Sequence, residues 1–130
     1  MNLDDVKNAP VFSLNGYIVT GKVCSVYDGD SMKIIFPFHD HFYKWTCRLN
    51  GVDTPELRSK DTQEKQRAIM VRDKVKEKIL HKKVTVHCGK FDKYGRLLID
   101  LICIEDQCHI NKWLLENDLA IEYFGGRKRK

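Results

Sequence analysis

The chain has 130 residues, a length that suits one domain with a single hydrophobic core. Hydrophobic residues make up 42% and aromatic residues 10% of it, which excludes a wholly disordered chain. The formal net charge of +5 favours a polyanionic partner, although it is mild for a protein that only binds nucleic acid.

Three strands are predicted in the first part of the chain, after a loose polar leader over residues 1–16 that ends in an Asn-Gly turn signal. Residues 17–27 are rich in Val, Ile, Thr and Tyr, which favours a strand, and Asp28-Gly29 predicts a hairpin turn after them. Apolar side chains then alternate with other residues on both sides of a predicted loop at residues 37–42. The alternating side chains are Met32, Ile34 and Phe36 before the loop and Trp45, Cys47 and Leu49 after it.

The spacing of the apolar residues changes to a helical period after the third strand. Asp61 followed by Glu64 is a typical N-terminal cap, so we expect a helix from Asp61 or Thr62 to His81. The exposed face of this helix is basic, and a solvated surface is the simplest interpretation of that charge. The apolar positions that define the helix are Ala68, Val71, Val75 and Ile79.

Two further strands and a short helix complete the predicted domain. The strands cover residues 84–88 and 96–104, and a helix over residues 110–117 would place Trp113 and Leu114 in the core. Three strands, a helix, two strands and a second helix are the element order of a five-stranded OB-fold barrel, which is a mainly β fold with helices (α+β). The domain is predicted to span residues 17–124, followed by a flexible basic tail at residues 125–130.

Polar residues that interrupt the strand pattern are predicted to meet at one rim of the barrel. If the second and third strands form a hairpin centred near residue 40, Ser31 lies opposite Arg48, and Asp30 lies beside the turn that contains Asp53. Clustered carboxylates favour a hard divalent cation, and oxygen ligands suit Ca²⁺ or Mg²⁺ better than Zn²⁺. An arginine beside such an ion presents a planar fork that matches phosphate oxygens. The combination predicts hydrolysis of phosphodiester bonds by a metal-oriented water molecule.

Three sequence motifs occur in order: DGD at residues 28–30, RLNGVDTPE at residues 48–56 and DKYGR at residues 92–96. Together they resemble the staphylococcal nuclease (thermonuclease-like) family, and the likeness extends over about residues 17–124. This resemblance implies an OB-fold, endonuclease-like phosphodiesterase that cleaves DNA and/or RNA. It implies calcium as the usual cofactor, with magnesium or another divalent cation as the alternative, and release of the 5′ oxygen to leave a 3′ phosphate.

The resemblance also implies which residues hold the metal. Asp30 and Asp53 would ligate the ion through their side chains, and Thr54 would do so through its backbone carbonyl. Asp28 would lie behind them and hydrogen-bond through water. Ser31 stands where threonine is common in the family, a mild change because the hydroxyl is kept.

Catalytic and substrate-binding roles are implied in the same way. Glu56 matches the residue proposed in the family as general base or as the group that orients water. Arg48 and Arg96 would grip the scissile phosphate, and Arg96 would assist the leaving oxygen. Four further residues would contact the substrate: Lys93 and Tyr94 at a terminal phosphate, and Tyr123 and Phe124 by stacking on a base.

A second class of function is a catalytically inactive OB-fold module that binds nucleic acid or protein. Such a module has no structural need for clustered like charges, so the complete acidic and arginine set favours the nuclease. The segment His39-Asp40-His41 could bind a metal, but a solvated loop is the simpler interpretation, because no third His or Cys lies nearby in the sequence.

The sequence also predicts where the protein resides. It lacks the basic start and apolar block of a secretory signal, and its five cysteines include no Cys-x-x-Cys pair. We therefore expect an intracellular protein with reduced thiols, no membrane contact and no obligate protein partner. The basic run at residues 127–130 suggests the nucleus as one destination, although an electrostatic arm for nucleic acid is the favoured interpretation.

Overall fold

The computed structural model describes residues 2–124, which form eight strands and two α-helices. After a short 3₁₀ turn (Leu3–Asp5) come β1 (Ile18–Asp28), β2 (Ser31–Phe38), β3 (His41–Leu49) and the two-residue β4 (Val52–Asp53). They are followed by α1 (Thr62–Ile79), β5 (Lys83–Phe91), β6 (Leu97–Cys103), β7 (Cys108–His109), α2 (Ile110–Glu116) and β8 (Ile121–Glu122).

Five long strands close into a barrel. Their order in the sheet is β3-β2-β1-β5-β6, and a parallel pairing of β3 with β6 closes it, with Cys47 opposite Leu97. The short β7 extends the sheet at β6, while β4 pairs with β8 as a separate ribbon. The prediction of a mainly β, five-stranded OB-fold barrel is confirmed, with one helix between its third and fourth strands and a short second helix.

Helix α1 forms where the sequence predicts it. The Asp61 side chain caps it by accepting a hydrogen bond of 3.0 Å from the backbone N–H of Gln63. The helix ends at Ile79, two residues before the predicted end, because the backbone is extended at Leu80, with a ψ of 129°, and left-handed at His81, with a φ of 63°. Its four predicted apolar positions are all buried. Neither helix in residues 2–124 combines the length and the apolar character that a membrane crossing requires.

The predicted loop at residues 37–42 is wrong. Strand β2 continues to Phe38 and β3 begins at His41, so only His39 and Asp40 form the turn. Both residues have positive φ values, 49° and 67°, which is the geometry of a tight two-residue hairpin turn. The resulting register pairs Ser31 with Arg48, and that prediction is confirmed.

Part of the predicted leader packs against the barrel. Leu14 belongs to the hydrophobic core, and the Phe12 ring lies edge-on to the Phe38 ring with 5.7 Å between centroids. The division of the chain into leader, domain and tail stays a prediction. The predicted basic tail, residues 125–130, lies outside the described residues.

Candidate active site

The turn between β1 and β2 packs closely against α1 and Thr54, and this contact positions Asp30. A Cβ atom added to Gly29 would lie 2.7 Å from Val71 Cγ1 on α1 and 3.1 Å from Thr54 Cγ2. Only glycine allows this approach without a shift of the neighbouring atoms. The carbonyl of Asp30 accepts a hydrogen bond of 2.8 Å from the N–H of Leu49, which ties the turn to the end of β3.

Four of the predicted site residues lie together: Asp30, Arg48 and Asp53 form a buried cluster, and Thr54 contacts it. Arg48 Nη2 lies 3.3 Å from Asp30 Oδ2 and 3.3 Å from Asp53 Oδ1. The backbone N–H of Thr54 donates to the same Asp30 oxygen over 3.2 Å. The side chains of the arginine and the two aspartates are 7–10% exposed, so little water screens their charges.

The chemistry of this cluster fits a hard divalent cation. Two buried carboxylates share one guanidinium, which leaves one formal negative charge where solvation is poor. No group of three or more His, Cys, Asp or Glu side chains within residues 2–124 is arranged to hold a metal. The carboxylate oxygens of Asp30 and Asp53 are nevertheless the type of ligand that Ca²⁺ and Mg²⁺ accept.

Asp28, the last residue of β1, lies near Asp30 and is held toward the loop that follows β4. Its Oδ1 atom accepts a long hydrogen bond of 3.5 Å from the backbone N–H of Leu57. Burial and the negative charge of Asp30 raise the pKa of Asp28, and the Leu57 hydrogen bond offsets part of that rise. A neighbouring cation would oppose this shift by favouring the ionised carboxylate.

A second part of the site is the turn between β5 and β6. Asp92 Oδ1 accepts hydrogen bonds of 2.9 Å from the backbone N–H groups of Tyr94 and Arg96, and Asp92 Oδ2 accepts one of 2.8 Å from Arg96 Nε. Partial burial raises the pKa of Asp92, but these hydrogen bonds and the Arg96 charge outweigh it and lower the pKa. Asp92 therefore fixes both the turn and its arginine.

The sequence analysis included Asp92 in a motif but predicted no role for it. The signal that could have found it is an aspartate at the start of a short turn that contains glycine, since such side chains bond to the N–H two residues on. Gly95 supplies the positive φ of 84° that this turn needs. Because Leu97 pairs with Cys47, Arg96 emerges beside the strand that carries Arg48.

Tyr94 is the exposed centre of this turn. The residue is 73% exposed, and its ring is flanked by Lys93 Nζ at 5.3 Å and the Arg96 guanidinium at 5.6 Å from the ring centroid. The turn thus presents two cations around one aromatic ring, which suits a phosphate next to a base.

The structure also brings Tyr123 to the buried cluster. The Arg48 guanidinium lies 4.8 Å from the centroid of the Tyr123 ring, and the Tyr123 N–H donates a 3.0 Å hydrogen bond to the Gly51 carbonyl. The next residue, Phe124, is 73% exposed. Glu56 is exposed on the loop two residues after Thr54. Every predicted site residue is therefore on one of four segments: the end of β1 with the β1–β2 turn, the chain from the end of β3 through β4 to the loop after it, the β5–β6 turn, and the two residues that follow β8.

A family model described as "staphylococcal nuclease homologue" matches residues 46–130, which is more than half of the chain. The matched region begins inside β3 and includes the Arg48, Asp53 and Arg96 motifs, whereas the turn with Asp30 precedes it. A search among curated proteins found no match.

Proposed function

The chain belongs to the staphylococcal nuclease family, and on this premise we propose that it is a divalent-metal-dependent nuclease that hydrolyses phosphodiester bonds of DNA, RNA or both. The observation that supports the proposal most strongly is the buried cluster of Asp30, Asp53 and Arg48. Fold stability alone does not require two buried aspartates on one guanidinium, because well-packed apolar residues are often as stable or more so. A site that binds a cation and a phosphate does require these charges.

We propose Asp30, Asp53 and the Thr54 carbonyl as ligands of Ca²⁺, with Mg²⁺ or another divalent cation as the alternative. When bound, such a cation orients water and neutralises developing negative charge at phosphorus. Thr54 is well placed for this role, because its N–H already bonds Asp30 and its neighbour is Asp53. Asp28 supports the ligands from behind, through water.

Arg48 is proposed to bind the scissile phosphate. Both of its recorded bonds to the aspartates use one nitrogen, Nη2, so the rest of its fork can donate to phosphate oxygens. Arg96 is proposed to bind the same phosphate and stabilise the leaving 5′ oxygen, in an orientation set by Asp92. Glu56, on the exposed loop beyond Thr54, is proposed to orient water or to accept its proton.

The remaining proposed contacts are to the substrate outside the reacting phosphate. Lys93 and Tyr94 are proposed to bind a terminal phosphate, and Tyr123 and Phe124 to stack on a base. The expected products carry a 3′ phosphate and a 5′ hydroxyl, and we propose endonucleolytic cleavage in an intracellular or nuclear setting.

Labelled single-stranded and double-stranded DNA and RNA, incubated with Ca²⁺, Mg²⁺ or a chelator, test the proposal. We expect metal-dependent cleavage that stops with the chelator, and fragments whose ends analyse as 3′ phosphates. Glu56→Gln should lower turnover by about 10²–10⁴-fold, whereas Glu116→Gln, an exposed carboxylate on α2, is the matched control and should cleave normally. Nucleic acid left intact with every metal would contradict the proposal.

The second candidate is an OB-fold module that binds nucleic acid or protein without cleaving it. The observation in its favour is that an OB-fold barrel presents strand surfaces and loops that suit oligonucleotides in the absence of any metal. Salt-sensitive binding of oligonucleotides, with no products after long incubation in each metal, would select it over the nuclease.

A further inference from the structure

Four lysines share the outer face of the barrel, on strands that also carry the candidate site. All four are exposed; Lys22, Lys33 and Lys83 stand next to buried residues, and Lys44 stands next to Trp45, which is half-buried. We name this surface the lysine face and define it by Lys22 on β1, Lys33 on β2, Lys44 on β3 and Lys83 on β5.

The strand register places these lysines in adjacent rows. Lys44 pairs with Ile35, Ile35 pairs with Lys22, and Lys22 pairs with Lys83, so one row crosses four strands. Neighbouring strands lie about 4.8 Å apart, so this row spans about 14 Å. Lys33 lies in the next row, opposite Thr46.

The four strands that carry the lysines contain almost no acidic residues. Asp28, at the site end of β1, is the only acidic residue in the four strands. None of the four lysines takes part in an ion pair recorded for residues 2–124. Lys22 and Lys83 are directly opposite each other, an arrangement of like charges that costs stability. The face therefore suits an external anion.

The lysine face is continuous with the candidate site. Arg48 and Lys44 are four residues apart on β3, so their side chains leave the strand on the same side, about 13 Å apart. Thr46 and Lys33 form the row between them. Beyond Lys44 on the same side lies Phe42, which is 76% exposed.

We propose that the lysine face binds the backbone of a single-stranded nucleic acid beyond the bond that is cleaved at Arg48. A nucleic-acid strand is a polyanion with charges at regular intervals, so several phosphates can meet several lysines at once. The exposed ring of Phe42 offers a stacking surface for a base at the far end of the face. This inference rests on the proposed function in one respect: the path of the bound strand, from Arg48 toward Phe42, is defined by cleavage at Arg48.

The test measures binding without cleavage. A fluorescein-labelled oligodeoxythymidylate of about 12 nucleotides is titrated with the full chain in a chelator, and fluorescence anisotropy is followed at several salt concentrations. Lys22→Ala/Lys44→Ala should weaken binding by about tenfold at low salt and reduce the slope of log K against log salt by about 1.4, which is two contacts of about 0.7 each. The difference from the unmodified chain should shrink as the oligonucleotide is shortened to about three nucleotides.

A matched control removes the same charge elsewhere. Lys65 and Lys76 lie on α1 and not on the sheet, and neither takes part in an ion pair recorded for residues 2–124. Lys65→Ala/Lys76→Ala should change the salt slope by much less than the variant of the lysine face. Equal losses in the two double variants would overturn the proposal, because they would indicate diffuse electrostatic attraction to the whole molecule.

A charge reversal separates binding from folding. Lys22→Glu creates an opposite-charge pair with Lys83, so the melting temperature should stay the same or rise while oligonucleotide binding falls. If Lys22→Glu and Lys22→Ala/Lys44→Ala both bind the oligonucleotide as the unmodified chain does, the face serves another partner, such as an acidic protein, and the proposal is wrong. Because the binding assay contains no metal, its result does not depend on nuclease activity. If the unmodified chain cleaves no nucleic acid, the proposed function is refuted, but the proposal that the lysine face binds a strand is not.

Discussion

Replacement of Arg48 by methionine tests whether the buried cluster is a cation site. The methionine keeps most of the volume of the side chain but leaves Asp30 and Asp53 buried with no guanidinium between them. Breaking a buried ion pair by removing one partner costs about 3–5 kcal/mol. The two contacts here are 3.3 Å long, longer than typical charge-assisted bonds, so we expect the lower end, about 3 kcal/mol.

The expected loss is large enough to measure by thermal unfolding. For a domain of this size each kcal/mol shifts the melting temperature by about 3–5 °C, so Arg48→Met should melt about 10 °C lower in a chelator at neutral pH. Adding Ca²⁺ should recover most of this loss, because a cation that binds only the folded state stabilises it by about 2.7 kcal/mol at a hundredfold excess over its dissociation constant. The gain from Ca²⁺ should be larger in the variant than in the unmodified chain.

Arg72 offers a matched control for this experiment. It pairs with Asp73 at 3.1 Å, but the two side chains are 28% and 58% exposed. Exposed pairs of this kind contribute about 0–1 kcal/mol, so Arg72→Met should change the melting temperature little and should not alter the response to Ca²⁺. An Arg48→Met variant that is destabilised but gains no more from Ca²⁺ or Mg²⁺ than this control would refute the cation site.

Three further variants probe the residues around the cluster. Gly29→Ala should cost about 1–3 kcal/mol in denaturant unfolding, because its Cβ would lie 2.7 Å from a side-chain atom of α1. Asp92→Asn should lower stability at neutral pH by about 1 kcal/mol and reduce cleavage through Arg96; since the pKa of Asp92 is lowered by folding, this loss should fade as the pH falls through that low pKa. Asp28→Asn should change the free energy of unfolding in the opposite direction. Folding raises the pKa of Asp28, so in the absence of metal the variant should be more stable than the unmodified chain at neutral pH, with no gain below pH 3.8. Unfolding free energies measured against pH check both signs, and parallel curves for the two variants would contradict the assignments.

The pairing that carries the site could be predicted from the sequence because it depends on local periodicity. Alternation in two consecutive strands and a turn near residue 40 were enough to place Ser31 opposite Arg48. The buried positions of α1 could be predicted in the same way, because the spacing of the apolar residues changes to that of a helix. These features are encoded by residues that are close together in the chain.

The sequence analysis did not predict one pairing between distant segments and the details of two local turns. The two-residue strands β4 and β8 are too short to leave a periodic pattern, yet their pairing brings Tyr123 to Arg48. The tight turn at His39 and Asp40 was missed because neither residue is glycine, the usual indicator of a positive φ. The role of Asp92 was missed because the sequence analysis treated its segment as a motif and did not consider that an aspartate at the start of a short turn accepts hydrogen bonds from the residues after it.

One register in the β2–β3 hairpin links the candidate site to the lysine face. Side chains alternate between the two faces of a strand, so Arg48 and Lys44 share the outer side while Cys47 and Leu49 point inward and are fully buried. A slip by one residue would turn the arginine away from Asp30 and Asp53 into the apolar core and turn the two apolar side chains outward, at a cost of several kcal/mol. The apolar residues that close the barrel therefore also fix the distance between the proposed cleavage point and the proposed strand-binding surface. Substitution of single side chains can therefore test the cleavage site and the lysine face separately. An insertion at the His39-Asp40 turn would instead alter the strand pairing on which both depend.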